Sequence, residues 1–202
     1  MDEQQSSGQV ERGKRAPAGS VRGALIEAAH RVLRREGAAG LTVRAVATEA
    51  GVAPMGVYNH FDGKGGLLSA LVTDGFAHLR EAIASADDTD PLDRLHTTGV
   101  RYRELAVDSP NLYRLMFGSD VAPDPEVGAA ALGALTDVVV FGQRAGAIRD
   151  VDPFELTVAI WSAVHGAVSL EIDAPAHDTV QQWSRIYEQT LDMISRGVAA
   201  VG

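Results

Sequence analysis

The sequence predicts an all-α protein of about nine helices, arranged in two domains. Apolar residues recur at spacings of three and four along most of the chain, which is the period of amphipathic helices. No segment has the alternating pattern of a strand, and glycine or proline stands at most junctions between the apolar stripes. We therefore expect a polar, disordered arm over residues 1–19, a three-helix domain over 20–66 and a larger helical domain over 67–202.

The first helix is predicted from Ser20 to Gly37. The Ser20 hydroxyl can cap the N-terminus, and a glycine commonly follows the last turn of a helix. The apolar stripe between them comprises Leu25, Ile26, Ala29, Val32 and Leu33.

Two short helices around a tight turn are predicted in residues 41–64. Thr42 is a good N-cap for the first helix, Gly51 can adopt the left-handed conformation that ends it, and Pro54 suits the first turn of the second. The outward side of the second helix carries Met55, Gly56, Tyr58, Asn59 and His60. A polar face beside such a turn indicates a DNA-binding helix-turn-helix, although a plain hairpin of two packed helices has the same turn.

Six further helices follow. The fourth begins at Asp62 or Gly63, and its apolar pattern ends in the acidic run 87–90. Gly65 and Gly66 should weaken its first turn. Pro91 starts the fifth helix, and Ser109 and Pro110 start a short sixth. The last three helices are predicted near residues 126–147, 153–172 and 178–200.

One spacing in the helix-turn-helix resembles a known family. Tyr58, His60, Phe61 and Lys64 form the pattern Y-x-H-F-x-x-K, and over residues 20–70 the chain is similar to the TetR family of transcriptional regulators. The resemblance implies a homodimer that binds a double-stranded DNA operator, responds to a small-molecule effector and usually acts as a repressor.

The expected DNA contacts fall into two groups. Phosphate contacts are expected from Thr42, Tyr58, His60 and Lys64. Contacts to base edges or methyl groups in the major groove are expected from Arg44, Pro54, Met55, Gly56 and Asn59, with Arg44 the best candidate for guanine. Arg12, Lys14 and Arg15 form either a minor-groove arm or a plain disordered tail.

The distribution of charge favours this interpretation. The whole chain carries a net charge of −9, but residues 12–64 hold nine Lys/Arg against four Asp/Glu, a balance of +5. Residues 81–202 hold eight against nineteen, a balance of −11. Positive charge therefore lies in the domain expected to meet phosphates, although an ordinary asymmetry of solvated charges would look similar.

The last two helices predict a dimer. The helix over 153–172 is apolar on nearly all sides and so must be covered on both. Its second neighbour is either another copy of the chain, in a four-helix interface, or another part of the same monomer. The residues expected at a dimer interface are Gly166, Ala167, Trp183, Ile186, Tyr187, Leu191 and Ile194.

A second resemblance concerns the effector. Residues 161–166, W-S-A-V-H-G, and 113–117, Y-R-L-M-F, are similar to a TetR subgroup marked by a Trp-His-Gly motif, in which this region surrounds an effector cavity. The candidate pocket residues are Tyr102, Met116, Phe117, Phe141, Trp161 and His165. Trp161 and His165 share one helix face, but both also suit plain core packing.

The remaining chemistry excludes several functions. The chain has no cysteine, no strand-linked phosphate loop and no paired histidine motif, so we expect no enzyme, metal or cofactor. No apolar run suits a signal peptide or a membrane span, which predicts a cytoplasmic protein. The alternative to a regulator is a helical dimer that binds a small molecule or protein without an operator.

Overall fold

The computed structural model describes residues 18–174 and 180–200, and within these ranges the chain forms nine α-helices. They are α1 (Ala18–Gly40), α2 (Val43–Ala50), α3 (Pro54–Phe61), α4 (Gly63–Ala84), α5 (Pro91–Asp108), α6 (Pro110–Phe117), α7 (Pro125–Arg144), α8 (Pro153–Ile172) and α9 (Val180–Val198). The predicted all-α class is confirmed, since extended pairing in these ranges amounts to one antiparallel bridge between Ile148 and Ala199. Most of the predicted arm, with Arg12, Lys14 and Arg15, lies outside the described residues.

Local sequence signals set the boundaries of α2 and α3. The Thr42 hydroxyl accepts a hydrogen bond from the Ala45 amide at 3.1 Å, as an N-cap does. Gly51 ends α2 in the left-handed conformation, with φ 68° and ψ 30°. Pro54 is the first residue of α3, where its missing amide hydrogen costs no helix hydrogen bond.

The end of α1 differs from the prediction. The helix does not stop at Gly37 but continues to Gly40 across a kink, because Gly37 itself is non-helical, with φ 68° and ψ −176°. A glycine tolerates that conformation, and helical turns resume behind it.

The junction between α3 and α4 is unusually close. Asp62 links the helices in the left-handed conformation, with φ 52°. A Cβ atom on Gly66 would collide with the carbonyl oxygen of Phe61, whereas a Cβ on Gly65 would meet nothing within 4 Å. Gly66 is therefore needed for the approach of α4 to the end of α3, a requirement that the sequence pattern does not reveal.

The C-terminal domain is a bundle around α5 and α8. Helix α5 packs against α4, α6, α7, α8 and α9, and α8 packs against α5, α7 and α9. The shared core includes Leu95, Ala106, Leu135, Val139, Ile160, Val164 and Val168. By length and composition, α7 is the one described helix that could cross a membrane. Here it packs against α4, α5 and α8.

Two sets of hydrogen bonds join α1 to the C-terminal bundle. The Asn111 side chain, on α6, donates to the carbonyl oxygen of Leu33 at 3.0 Å. The His30 ring bonds the Asp74 carboxylate on α4 at 2.7 Å, and His78 lies 3.2 Å from the same carboxylate. The hydrogen bond from His30 is the main reason that the pKa of Asp74 is lowered. The N-terminal helices are thus attached to the bundle through both α4 and α6.

Candidate DNA-binding surface and effector cavity

One face of α3 is exposed and carries most of the predicted DNA contacts. Val57 and Phe61 are buried inside the helix-turn-helix, while Tyr58 is 55% exposed and Met55 65% exposed. Pro54 and Asn59 are also exposed, and Gly56 and His60 are half-buried. Met55 and Tyr58 are thus large side chains of α3 that stay outside the core.

Cations on either side of this face have no ion-pair partner among the described residues. Arg44 on α2 and Lys64 on α4 are exposed, and neither forms an ion pair with any described residue. The arginines of α1 differ, because Arg31 and Arg35 both bond the Glu49 carboxylate, at 2.7 and 3.1 Å. These bonds, led by that of Arg31, lower the pKa of Glu49. Arg34 of α1 is exposed and forms no ion pair with a described residue either, so Arg44 and Lys64 are two of the cations available to meet phosphates.

Tyr58 and Phe61, the two aromatic residues of the Y-x-H-F-x-x-K pattern, each pack against a residue outside α3. The Tyr58 ring lies over Gly63, whose added Cβ would stand 3.4 Å from the ring. The Arg22 guanidinium lies 5.0 Å from the centre of the Phe61 ring, which places a cation from α1 at the base of α3. The backbone at the α3–α4 junction therefore fixes where Tyr58 points.

A cavity of about 260 Å³ lies within the C-terminal bundle. Its wall is contributed by α4, α5, α6, α7, α8 and α9, and aliphatic side chains such as Leu79, Leu95, Leu135 and Ile160 form most of it. This composition is typical of small-molecule sites.

The structure brings three of the six predicted pocket residues to the cavity wall. Tyr102, Phe117 and Trp161 line it, and His165 lies directly behind them, with its ring centre 4.8 Å from that of Phe117. The predictions for Met116 and Phe141 are wrong. Met116 is buried over Gly75, where an added Cβ would meet its sulfur, and the Phe141 ring packs under the Arg94 guanidinium at 4.1 Å.

Behind the cavity wall, the side chains of Tyr102, Tyr113 and His165 hydrogen-bond to one another. The Tyr113 hydroxyl lies 2.7 Å from Nδ1 of His165, the Tyr102 hydroxyl lies 2.9 Å from the same nitrogen, and the two hydroxyls are 3.1 Å apart. Burial lowers the pKa of His165 and raises that of both tyrosines. A neutral imidazole can accept from one tyrosine while the other donates to the first hydroxyl. Nδ1 of His165 and the two tyrosine hydroxyls are therefore hydrogen-bonded without a ligand.

Sequence reasoning missed part of the wall on α5. Leu95, Thr98 and Gly99 line the cavity together with Tyr102, the one residue of this helix that was predicted. Their spacing of three and four was a signal of one buried helix face. It does not distinguish a packed core from a cavity wall, because both require the same period.

The predicted dimer residues on α9 divide into two groups. The assignments of Tyr187 and Leu191 to the interface are wrong, since both are buried in the chain's own core and the Tyr187 hydroxyl donates to the Gly99 carbonyl at 2.7 Å. Leu191 and Ile194 line the cavity instead. Ile186 is exposed, Trp183 is half-buried, and Gly166 and Ala167 on α8 are half-buried.

A separate apolar face remains uncovered on α8 and α9. Its members are Leu170, which is 66% exposed, and Ile186 and Met193, which are 36% and 62% exposed and share one side of α9. Phe154 and Val180 are also exposed, but their spacing puts them on other sides of α8 and α9. Gly166 lies on the same helix as Leu170, and an added Cβ there would meet nothing within 4 Å. Clustered exposure of this kind indicates a protein interface.

Known proteins resemble both halves of the chain. Residues 25–71 match the family described as bacterial regulatory proteins, tetR family, and residues 95–194 match the tetracyclin repressor-like C-terminal domain. An uncharacterized HTH-type transcriptional regulator of Mycobacterium tuberculosis is 31% identical over 80% of this chain and 75% of its own length. A regulator of Mycobacterium bovis is 28% identical over 73% of this chain and 79% of its own.

Solved structures agree with these matches. A protein of unknown function from Rhodococcus sp. RHA1 superposes with a TM-score of 0.77 at 26% identity, over 94% of this chain and 100% of that one. A TetR family transcription regulator from Marinobacter aquaeolei VT8 gives 0.66 at 21% identity, over 91% and 97%. At that identity the second likeness shows a shared fold alone. The Trp-His-Gly subgroup stays a prediction.

Proposed function

The chain belongs to the TetR family of transcriptional regulators, and from that membership we propose that it is a ligand-responsive repressor, binding a palindromic operator as a homodimer and released by a small molecule. Family membership makes it a DNA-binding regulator and not an enzyme. The dimer, the symmetry of the operator, the ligand and action in the cytoplasm are the proposal. Its main support is the exposed face of α3 flanked by unpaired Arg44 and Lys64.

The DNA step uses two kinds of contact. Lys64, Tyr58, His60 and the Thr42 end of α2 hold phosphates and so fix the orientation of α3. The exposed tip of α3 then enters the major groove, where Arg44 hydrogen-bonds guanine and Met55 contacts apolar base edges. Because Arg44 pairs with none of the described residues, no ion pair within that part of the chain must break before it reaches a base.

The dimer step uses the uncovered face of α8 and α9. A monomer would leave Leu170 and Met193 more than 60% exposed, which is unfavourable for side chains of that size. Packing α8 and α9 against the same helices of a second copy buries this face in a symmetric four-helix interface. The pairing also sets the distance between the two copies of α3, which must match one DNA turn, about 34–36 Å.

The position of the cavity supports a mechanism by which a bound ligand releases the DNA. Phe76 on α4 and Phe117 on α6 both line it, and these two helices also attach the DNA-binding domain to the bundle. A ligand that favours a different packing of α4 and α6 shifts the population towards dimers whose recognition helices no longer fit successive grooves.

The experiment is a mobility-shift titration with the DNA upstream of the chain's own gene, at 50 to 200 mM salt. We expect specific binding that weakens steeply with salt, by roughly a thousandfold for several phosphate contacts. Tyr58→Ala should abolish the shift while leaving a folded dimer. Full-strength binding by that variant contradicts the proposed contacts, and absence of specific binding by the wild type favours a helical binding module that uses no operator.

A further inference from the structure

The cavity wall carries no full charge. None of its side chains is Asp, Glu, Lys or Arg. His96, at the edge, is engaged with Glu188 at 3.0 Å, and the Tyr102 hydroxyl is engaged with Tyr113 and His165. An ion that enters such a cavity loses its hydration and gains no counter-ion. The wall therefore selects neutral molecules.

One buried polar atom of the wall has no hydrogen-bond partner in the part of the chain that the structure describes. Thr98 is 3% exposed, and its buried hydroxyl makes no hydrogen bond. Three other helical threonines donate to the carbonyl four residues earlier: Thr136 to Leu132 at 3.2 Å, Thr157 to Pro153 at 2.7 Å and Thr190 to Ile186 at 3.1 Å. A buried hydroxyl without a partner loses its hydrogen bonds to water and gains none within the protein, which is unfavourable. A ligand with a hydrogen-bonding group at this point of the wall would restore that lost bond.

The part of the wall around Phe117 is aromatic. The Phe117 ring centre lies 5.4 Å from that of Phe76, with the rings nearly perpendicular, and 6.1 Å from that of Trp161. Aromatic rings pack favourably against one another edge-to-face or offset. An aromatic ligand can extend this cluster into the cavity.

The volume limits the size of the ligand. An apolar cavity of about 150 Å³ accommodates benzene. The cavity of about 260 Å³ is less than twice as large. It therefore suits a molecule of about two fused rings, which is on the order of ten to twelve non-hydrogen atoms.

We propose that the cavity binds a neutral, two-ring aromatic compound with one hydroxyl or carbonyl group, and that this group hydrogen-bonds the Thr98 hydroxyl. The inference rests on the proposed ligand-responsive function and names the class of its effector. The apolar rings occupy the space beside Phe117, and Thr98 determines which polar substituent is accepted.

The test is titration calorimetry of the full chain, without DNA, at pH 7 with 2-naphthol, naphthalene and 2-naphthoate. We expect 2-naphthol to bind about three- to tenfold more tightly than naphthalene, the gain of one hydrogen bond. The anion 2-naphthoate should bind at least about tenfold more weakly than 2-naphthol.

Variants at Thr98 assign the hydrogen bond. Thr98→Val removes the hydroxyl at nearly constant shape and should reduce 2-naphthol binding to the level of naphthalene, while leaving naphthalene binding unchanged. Thr98→Ser keeps a hydroxyl and should restore the tighter binding of 2-naphthol. Thr157→Val is the matched control, because it makes the same change at a buried threonine outside the cavity wall and should leave both affinities unaltered.

Several results would overturn the proposal: no binding of 2-naphthol, equal or tighter binding of 2-naphthoate, or full affinity in Thr98→Val. The mobility-shift assay separates this failure from failure of the proposed function. Binding of 2-naphthol in calorimetry without release of operator DNA supports the site and contradicts the release mechanism. Absence of operator binding contradicts the proposal that the protein is a repressor. The calorimetric result then still shows whether the cavity binds a neutral aromatic compound.

Discussion

At the scale of single residues, one carboxylate determines which arginines are available to DNA. Glu49 bonds Arg31 and Arg35 on α1, so their charge is partly neutralised. Arg44 comes from the same short helix as Glu49 but has no partner among the described residues, and it stands beside the exposed face of α3. An exposed cation without an internal partner is free to bind phosphate or guanine.

Arg44→Ala should therefore weaken operator binding by about ten- to a hundredfold, which corresponds to about 1–3 kcal/mol for a bidentate contact to guanine. Arg144→Ala is the control, because it removes an exposed arginine from the end of α7, far along the chain from α3. Competition with operators altered at single positions identifies the contacted base. Equal loss in the two variants would mean that net charge alone accounts for the effect.

The neutral imidazole of His165 predicts a pH dependence of stability. Burial lowers its pKa below the ordinary value of 6.5, so the unfolded chain takes up a proton at a higher pH than the folded chain. The free energy of unfolding should then decrease as the pH falls below about 6.5.

His165→Gln tests this dependence. Glutamine does not titrate, and its amide oxygen can still accept a hydrogen bond from a tyrosine. Denaturant unfolding of the variant should show a smaller loss of stability between roughly pH 7 and pH 5 than the wild type. Identical slopes in the two proteins would show that other titratable groups cause the acid sensitivity.

At the scale of elements, the start of α4 separates two kinds of glycine. Gly65 is exposed in open space, so its only effect on α4 is the low helix propensity of glycine. Gly66 has no room for a side chain, because the Phe61 carbonyl occupies the position of a Cβ. Two neighbouring residues of the same type therefore have opposite structural roles.

The pair makes a sharp prediction. Gly65→Ala should raise the free energy of unfolding by about 0.5–1 kcal/mol. Gly66→Ala should lower it by about 1–3 kcal/mol through steric strain and should also weaken operator binding, because the collision displaces α3. Thermal and denaturant unfolding of both variants test the stabilities. Stabilisation by both substitutions would show that the close contact of α3 and α4 is relaxed in solution.

The features that could be predicted from the sequence are those that depend only on nearby residues. The cap at Thr42, the turn at Gly51 and the start at Pro54 depend on side chains and backbone conformations within a few residues, so their positions were predictable. Tyr187 and Leu191 were misassigned because an apolar stripe specifies a buried face but not the partner that buries it. The need for glycine at position 66 was hidden for the same reason, since it arises from a contact between two helices.

At the scale of the whole molecule, the exposed face on α8 and α9 predicts that the proposed dimer depends on apolar burial. Leu170→Glu should produce monomers in analytical ultracentrifugation, because two buried carboxylates would face each other across a symmetric interface. Operator affinity should fall with the loss of the dimer. Val107→Glu changes a similarly apolar exposed residue at the end of α5 and should leave both properties intact; a dimer in Leu170→Glu would place the interface on another face.

The length of α4 gives a small rearrangement at the cavity a large effect at the DNA. Leu79, on the cavity wall, and Lys64, beside the recognition helix, are on the same helix and about 22 Å apart at 1.5 Å per residue. A tilt of about 8° around Leu79 would move Lys64 by about 3 Å, and symmetric tilts in two copies could change the separation of their recognition helices by up to about 6 Å. This change is a sizeable fraction of the 34–36 Å groove spacing. A compound of only two rings could therefore cause a tilt that is small enough for the core to tolerate but large enough to end the fit of the dimer to its operator.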